Sequence, residues 1–230
     1  MGDNMDNNVI ADNLRRINEH IAQSAAKSGR LASDITLVAV TKTIAAAAVA
    51  DVAETLLTHG VRNLGENRVQ ELTEKQPHPA LDGKFAWHMI GSLQRNKVKF
   101  CVGNVTLIHS VDSLRLAEEI SRLAALRQVT AEVLVEVNIA CEDTKHGVTP
   151  DDTAALVAQI TALPNIIVKG LMTVAPFVDN PEENRPLFRK MKELNGDMPL
   201  LSMGMTNDYQ VAIEEGANIV RIGTAIFGAR

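Results

Sequence analysis

Ile35-Thr36-Leu37-Val38-Ala39-Val40-Thr41-Lys42-Thr43 is an apolar, β-branched run that stops at a lysine. An apolar stretch of this length predicts a strand covered on both faces, as in a parallel sheet, with Lys42 at its carboxyl end. An ammonium held at the mouth of a core loses hydration, which disfavours its charged form and lowers the amine pKa. A neutral amine placed there attacks carbonyls and forms a Schiff base. The other reading is a strand-end lysine whose stem lies on apolar surface while its head reaches water.

Outward from this strand the chain alternates between strand and helix patterns. Apolar Ile10, Leu14, Ile17 and Ile21 stand at helical spacing over 9–28, and Gly29 ends that helix. Beyond 35–40, strands are predicted at 61–64, 85–90, 105–109, 131–139, 166–171, 200–202 and 219–222. Between them the pattern predicts helices at 45–57, 68–75, 94–100, 113–126, 151–162, 183–194 and 208–215. Eight strands alternating with helices predict an α/β fold, a (β/α)₈ TIM barrel, over an open doubly wound sheet. No repeat or linker divides residues 1–230, so one domain is expected. Loops that follow barrel strands gather at one face, which sends Lys42, Asn67, His88, Asn138, Met172, Ser202 and Arg221 to a common mouth.

Two glycine-containing segments near the end add a second chemical theme. Ser202-Met203-Gly204-Met205-Thr206-Asn207-Asp208 and Val220-Arg221-Ile222-Gly223-Thr224-Ala225 each carry small or hydroxyl residues between an apolar element and a helix. Such loops bring backbone N–H groups to a phosphate, and two in succession form a phosphate cup. Glycine before a helix is also the usual material of turns and caps.

Composition narrows the function classes. The 230 residues are 46% hydrophobic and carry a formal charge of −5, enough for one large core and without general attraction to nucleic acid or anionic lipid. Aromatic residues are 3% of the chain, which argues against base-stacking platforms. Cys101 and Cys141 form no CxxC and read as reduced packing thiols. The six histidines never stand at metal-ligand spacing, and HExxH, GxSxG and P-loop patterns are missing. The polar start Met1-Gly2-Asp3-Asn4-Met5-Asp6-Asn7-Asn8 lacks the apolar region of a signal peptide, and no later run has the length of a membrane span. A cytoplasmic location is expected.

Several longer motifs, taken together, resemble a known family. They are Val40-Thr41-Lys42-Thr43, Leu64-Gly65-Glu66-Asn67-Arg68-Val69-Gln70-Glu71, Trp87-His88-Met89-Ile90-Gly91-Ser92-Leu93-Gln94-Arg95-Asn96-Lys97, Gly170-Leu171-Met172, Leu201-Ser202-Met203-Gly204-Met205 and Val220-Arg221-Ile222-Gly223-Thr224-Ala225-Ile226-Phe227-Gly228. The chain resembles, nearly end to end, the pyridoxal-phosphate homeostasis protein family. That resemblance implies a barrel like the N-terminal domain of alanine racemase and a pyridoxal 5′-phosphate (PLP) cofactor. It implies no established turnover, and a part in vitamin B6 homeostasis. It further implies that Lys42 forms the internal aldimine, that Ser202, Gly223 and Thr224 with the backbone of Met203, Gly204 and Met205 bind the phosphate, and that Arg221 faces the pyridine nitrogen. A permanently cationic arginine there disfavours ring protonation and mutes carbanion chemistry.

The remaining positions carry two readings each. Asn67 is a cofactor contact or part of a helix cap. His88 lines the pocket or is satisfied within the strands, and Asn138 contacts the ring or ties down loop backbone. Met172 packs on the ring or fills the barrel. Arg95, Lys97 and Lys99 read as a solvated helix face, and Lys145 lies in a polar loop where it relays cofactor or is simply solvated. Three functions compete: a PLP-binding and delivery protein supplying PLP-requiring apoenzymes, an amino-acid racemase of the alanine racemase type, and a Schiff-base aldolase. Racemisation needs a second base on the opposite face of the α-carbon, and in the racemases a further C-terminal domain supplies it as a tyrosine. The sequence stops at Arg230, just after the last barrel motif, and its one tyrosine, Tyr209, stands beside the phosphate loop. The expectation is therefore a non-catalytic PLP carrier, as a monomer rather than a dimer.

Overall fold

The computed structural model describes residues 5–228. The polar start at 1–4 and the end at 229–230 lie outside them.

Helix α1 (Asn7–Lys27) begins where the Asp6 side chain accepts the Asn8 N–H at 2.8 Å. It buries Ile10, Leu14, Ile17 and Ile21 and stops at Gly29, whose φ of 70° suits glycine. There follow β1 (Thr36–Val40), α2 (Ala46–Asp51), α3 (Ala53–Thr58), β2 (Asn63–Glu66) and α4 (Val69–Lys75). Then come β3 (Ala86–Met89), a 3₁₀ segment (Arg95–Phe100), β4 (Leu107–Val111), α5 (Leu114–Arg127) and β5 (Ala131–Glu136). The chain continues through α6 (Thr153–Thr161), β6 (Ile166–Met172), α7 (Arg185–Asn195), β7 (Leu200–Ser202), α8 (Tyr209–Glu214), β8 (Ile219–Ile222) and α9 (Thr224–Phe227). The strands close in the order β1 to β8, all parallel, so the expected eight-stranded barrel is present.

The departures from the sequence expectation are local. The helix expected over 45–57 is two short helices that break at Val52 (φ −104°, ψ 3°). Strand β2 starts at Asn63 because pairing aligns Val38 with Asn63 and Val40 with Gly65. Gly65 is needed there, since a Cβ would lie 2.8 Å from Val38 Cγ1 and 3.1 Å from Ile90 Cδ1. Strand β5 ends at Glu136, and 137–148 forms a loop held by a bridge between Val137 and Val148.

Strand alternation separates two apolar regions. Ala39, Leu64, Met89, Ile108, Val133, Leu171, Leu201 and Val220 pack outward within the large core that includes the helices. Val38, Leu107, Leu134, Met172 and Ile219 form a separate cluster, the plug inside the barrel. Among the described residues no helix is long and apolar enough to cross a membrane.

Candidate functional site

Two residues beyond the plug, several strands present their next inward side chain. On β4 this step leads from Leu107 to His109, on β5 from Leu134 to Glu136, on β7 from Leu200 to Ser202, and on β8 from Ile219 to Arg221; all four are buried. On β1 the same step runs from Val38 to Val40 and then to Lys42, in the turn that follows the strand. An apolar floor is thus covered by a polar layer toward the carboxyl ends of the strands.

Hydrogen bonding in this layer has a direction. Arg221 can only donate, and it donates to Ser202 Oγ at 2.6 Å and to the Thr173 carbonyl at 2.8 Å. Ser202 Oγ lies 3.0 Å from His109 Nδ1, His109 Nε2 lies 2.9 Å from His88 Nδ1, and His88 Nε2 lies 3.0 Å from Asn63 Oδ1. With a donor at one end and an amide oxygen at the other, each histidine is neutral and carries its proton on Nε2. Burial agrees with this: it pulls His88 down to about 4, and it holds His109 well below the ordinary range, helped by the nearby His88 and Arg221.

The charged members of the layer are less well matched. Burial pushes the Arg221 guanidinium down to about 10 against the opposing attraction of Glu136 and Asp208, so it stays cationic at neutral pH. None of the ion pairs among the described residues involves Arg221. Glu136 is raised to about 7, by burial first and then by repulsion from Asp112, against the pull of His146 and Arg221. Its Oε2 is buried without a hydrogen-bond partner. A buried cation without a bound carboxylate and a buried carboxyl with an orphaned oxygen are both costly in a core, and both occur at ligand sites.

The two glycine loops come together as the sequence predicts. The Arg221 N–H donates to the Gly204 carbonyl at 3.0 Å, and the Ala225 N–H lies 3.4 Å from Thr206 Oγ1. Gly204 has φ 92°, and a Cβ on it would fall 2.6 Å from the Ala212 Cβ and 2.9 Å from the Tyr209 Cα, so only glycine lets α8 seat against this loop. The Met205 N–H bonds to Asp208 Oδ1 at 2.8 Å, while Met205 and Thr224 are exposed and Gly223 is partly buried.

The other expected positions divide. Lys42 is exposed rather than buried, and it stands on the mouth-facing register of β1. Asn67 follows β2 and is half-buried, with its backbone against Gly91, while α4 takes Arg68 as its N-cap without a side-chain bond. Asn138 is spent on its loop: Nδ2 donates to the Glu142 carbonyl at 2.8 Å, and Oδ1 accepts the Glu142 N–H at 3.1 Å. Met172 is part of the interior plug. Ser202 is fully buried, and its hydroxyl is engaged by Arg221 and His109. Lys145 pairs with Glu142 at 2.7 Å and reaches the Val174 carbonyl at 3.4 Å, bridging two loops at the mouth. Sequence reasoning missed His109, Glu136 and Asn63. Their signal was the position two residues beyond an inward apolar side chain, or, for Asn63, two residues before the inward Gly65.

A primary amine, an unpaired guanidinium, a threonine hydroxyl and glycine backbone around one barrel mouth suit a ligand that combines a carbonyl with a phosphate. Residues 6–230 match the family model described as alanine racemase, N-terminal domain. The pyridoxal phosphate homeostasis protein of Aquifex aeolicus is 43% identical over 228 residues, covering 95% of this chain and 97% of that one. PipY of Synechococcus elongatus, solved with PLP bound, superposes with a TM-score of 0.76 at 32% identity, covering 90% of this chain and 100% of that one. The alanine racemase of Corynebacterium glutamicum shares the fold, with a TM-score of 0.71 at 18% identity over 98% of this chain and 62% of its own. By sequence along its length and by its closed barrel, this chain belongs to the pyridoxal phosphate homeostasis protein family.

Proposed function

We propose that this chain holds PLP at the carboxyl end of its barrel through a Schiff base at Lys42, and that it acts in vitamin B6 homeostasis as a carrier rather than as an enzyme. The observation that carries the reading is Arg221, a buried guanidinium outside every ion pair among the described residues and in the same inward layer as the mouth. PLP bound to PipY, a relative at 32% identity, supports it. Thr224, Gly223, Gly204 and Met205 are assigned to the phosphate and Asn67 to the ring. Ser202 is assigned to orient Arg221, because its hydroxyl already bonds to that guanidinium.

When bound, PLP supplies an electron sink whose strength depends on a protonated ring nitrogen. A cation at that nitrogen opposes its protonation, and Arg221 stays cationic at neutral pH, so carbanion chemistry is suppressed. Tyr209, the one tyrosine of the chain, is buried and lies 2.8 Å from His20 Nδ1 of α1, so its hydroxyl is engaged there and is not offered to the barrel mouth as a second base. The same reading places one PLP-binding domain over 1–230, acting as a cytoplasmic monomer that supplies PLP-requiring apoenzymes.

The test is borohydride reduction of protein mixed with PLP, followed by peptide mass spectrometry. A pyridoxyl adduct on Lys42 is expected, lost in Lys42→Ala while the melting temperature is kept, because removing an exposed side chain leaves no core cavity. An adduct confined to another lysine overturns the anchor. Interconversion of L- and D-alanine by the pure protein overturns the carrier.

A further inference from the structure

Lys42 is bracketed on both sides by a buried charge cluster that lies behind the barrel wall, outside the site described above. Residues 41–44 form a tight turn closed by the Ile44 N–H bonding to the Thr41 carbonyl at 3.1 Å. Its third position, Thr43, has φ 64°. That is the type II turn position normally given to glycine or asparagine, and a β-branched residue there is strained. Such a conformation persists only when its surroundings hold it.

The holding groups come from α4 and the end of β2. Glu71 Oε2 accepts the Thr43 N–H at 2.5 Å. Lys75 Nζ donates to the Thr41 carbonyl at 2.7 Å, to Glu66 Oε1 at 2.7 Å and to Glu71 Oε2 at 3.3 Å. The Thr41 hydroxyl donates to the same Glu66 oxygen. All three ammonium protons of Lys75 are thus accounted for, and Lys75 and Glu66 are both fully buried. The residues before and after Lys42 are fixed by this one cluster.

We propose that Glu71 and Lys75 are positioning residues for Lys42, which hold the strained turn of Thr43 so that the Lys42 amine meets the aldehyde of PLP in one orientation. The proposal rests on the assignment of Lys42 as the anchor. Holding the nucleophile in a single geometry lowers the entropy cost of bond formation, and a type II turn fixed at both ends does this for the residue at its second position.

The experiment compares the wild-type chain, Glu71→Gln, Thr43→Gly and the double variant. PLP affinity is read by spectral titration, the adduct site by borohydride trapping, and folding by thermal melting. Glu71→Gln replaces a partly exposed carboxylate by a neutral amide of the same size, so the fold should be kept; weakening the two charge-assisted hydrogen bonds that Glu71 accepts, from the Thr43 N–H and from Lys75 Nζ, should weaken PLP binding about tenfold with the melting temperature close to that of the wild type. Glycine takes positive φ without strain, so in the Thr43→Gly background Glu71→Gln should have little further effect. Unchanged affinity in Glu71→Gln, or the same loss in both backgrounds, overturns the positioning role and leaves the anchor intact. A wild-type chain with no adduct on Lys42 overturns the anchor and the bracket together.

Discussion

Two cations among the described residues, Lys75 and Arg221, are fully buried, and they are treated in opposite ways. Lys75, between α4 and the barrel wall, touches two carboxylates and a carbonyl. Arg221, inside the barrel, touches a serine hydroxyl and a carbonyl, both neutral. Burying a charge costs several kcal/mol, and pairing offsets much of that cost. The charge of Lys75 is used up within the fold, whereas the charge of Arg221 remains available to something that enters. The difference marks one as scaffold and the other as site.

Removing each charge should give unequal results. Lys75→Met leaves Glu66 buried without its counter-ion and should destabilise by about 3–5 kcal/mol in urea unfolding. A loss below 1 kcal/mol would erase the contrast.

Glu136 provides the second, pH-dependent test. Its folded pKa near 7 lies above the ordinary 4.5, so the folded chain keeps a proton that the unfolded chain releases. Stability from this group is full below pH 4.5 and is lost as the pH rises through 7. Glu136→Gln lacks that loss, so its stability relative to wild type should improve by about 3 kcal/mol between pH 4.5 and pH 8. Urea unfolding at the two pH values reads the difference, and an unchanged gap would mean that the carboxyl is better solvated than its orphaned oxygen implies.

Arg221→Met should be the mildest for the fold. It leaves two neutral acceptors unsatisfied, at a cost of about 1–3 kcal/mol, and abolishes no ion pair among the described residues. PLP retention after gel filtration should nevertheless fall with the adduct site unchanged. Full retention would move Arg221 out of the site and put it with Lys75.

Much of the architecture was legible in the chain because barrel strands covered on both faces read as apolar runs separated by helical periodicity. The runs at 35–40, 200–202 and 219–222 became β1, β7 and β8 to within a residue. The beginning of β2 was not legible, because register with β1, and the space inside the barrel that only Gly65 leaves free, set it. Asn138 and Met172 each carried two readings by composition, and only the fold gives their surroundings: Asn138 bonds its own loop backbone, and Met172 packs in the plug at the register of Glu136 and Ser202.

By itself the sequence determined the alternation of elements and the glycine loops, since these follow from periodicities and conformational preferences that act over a few residues. Tertiary structure alone decided which polar groups face one another across the barrel. His109 meets Ser202 over 93 positions and Arg221 reaches Thr173 over 48, because ring closure of eight strands places distant residues in one layer. Exposure was decided there too: Lys42 lies open to solvent while Lys75, which no sequence pattern singled out, is sealed beneath its turn.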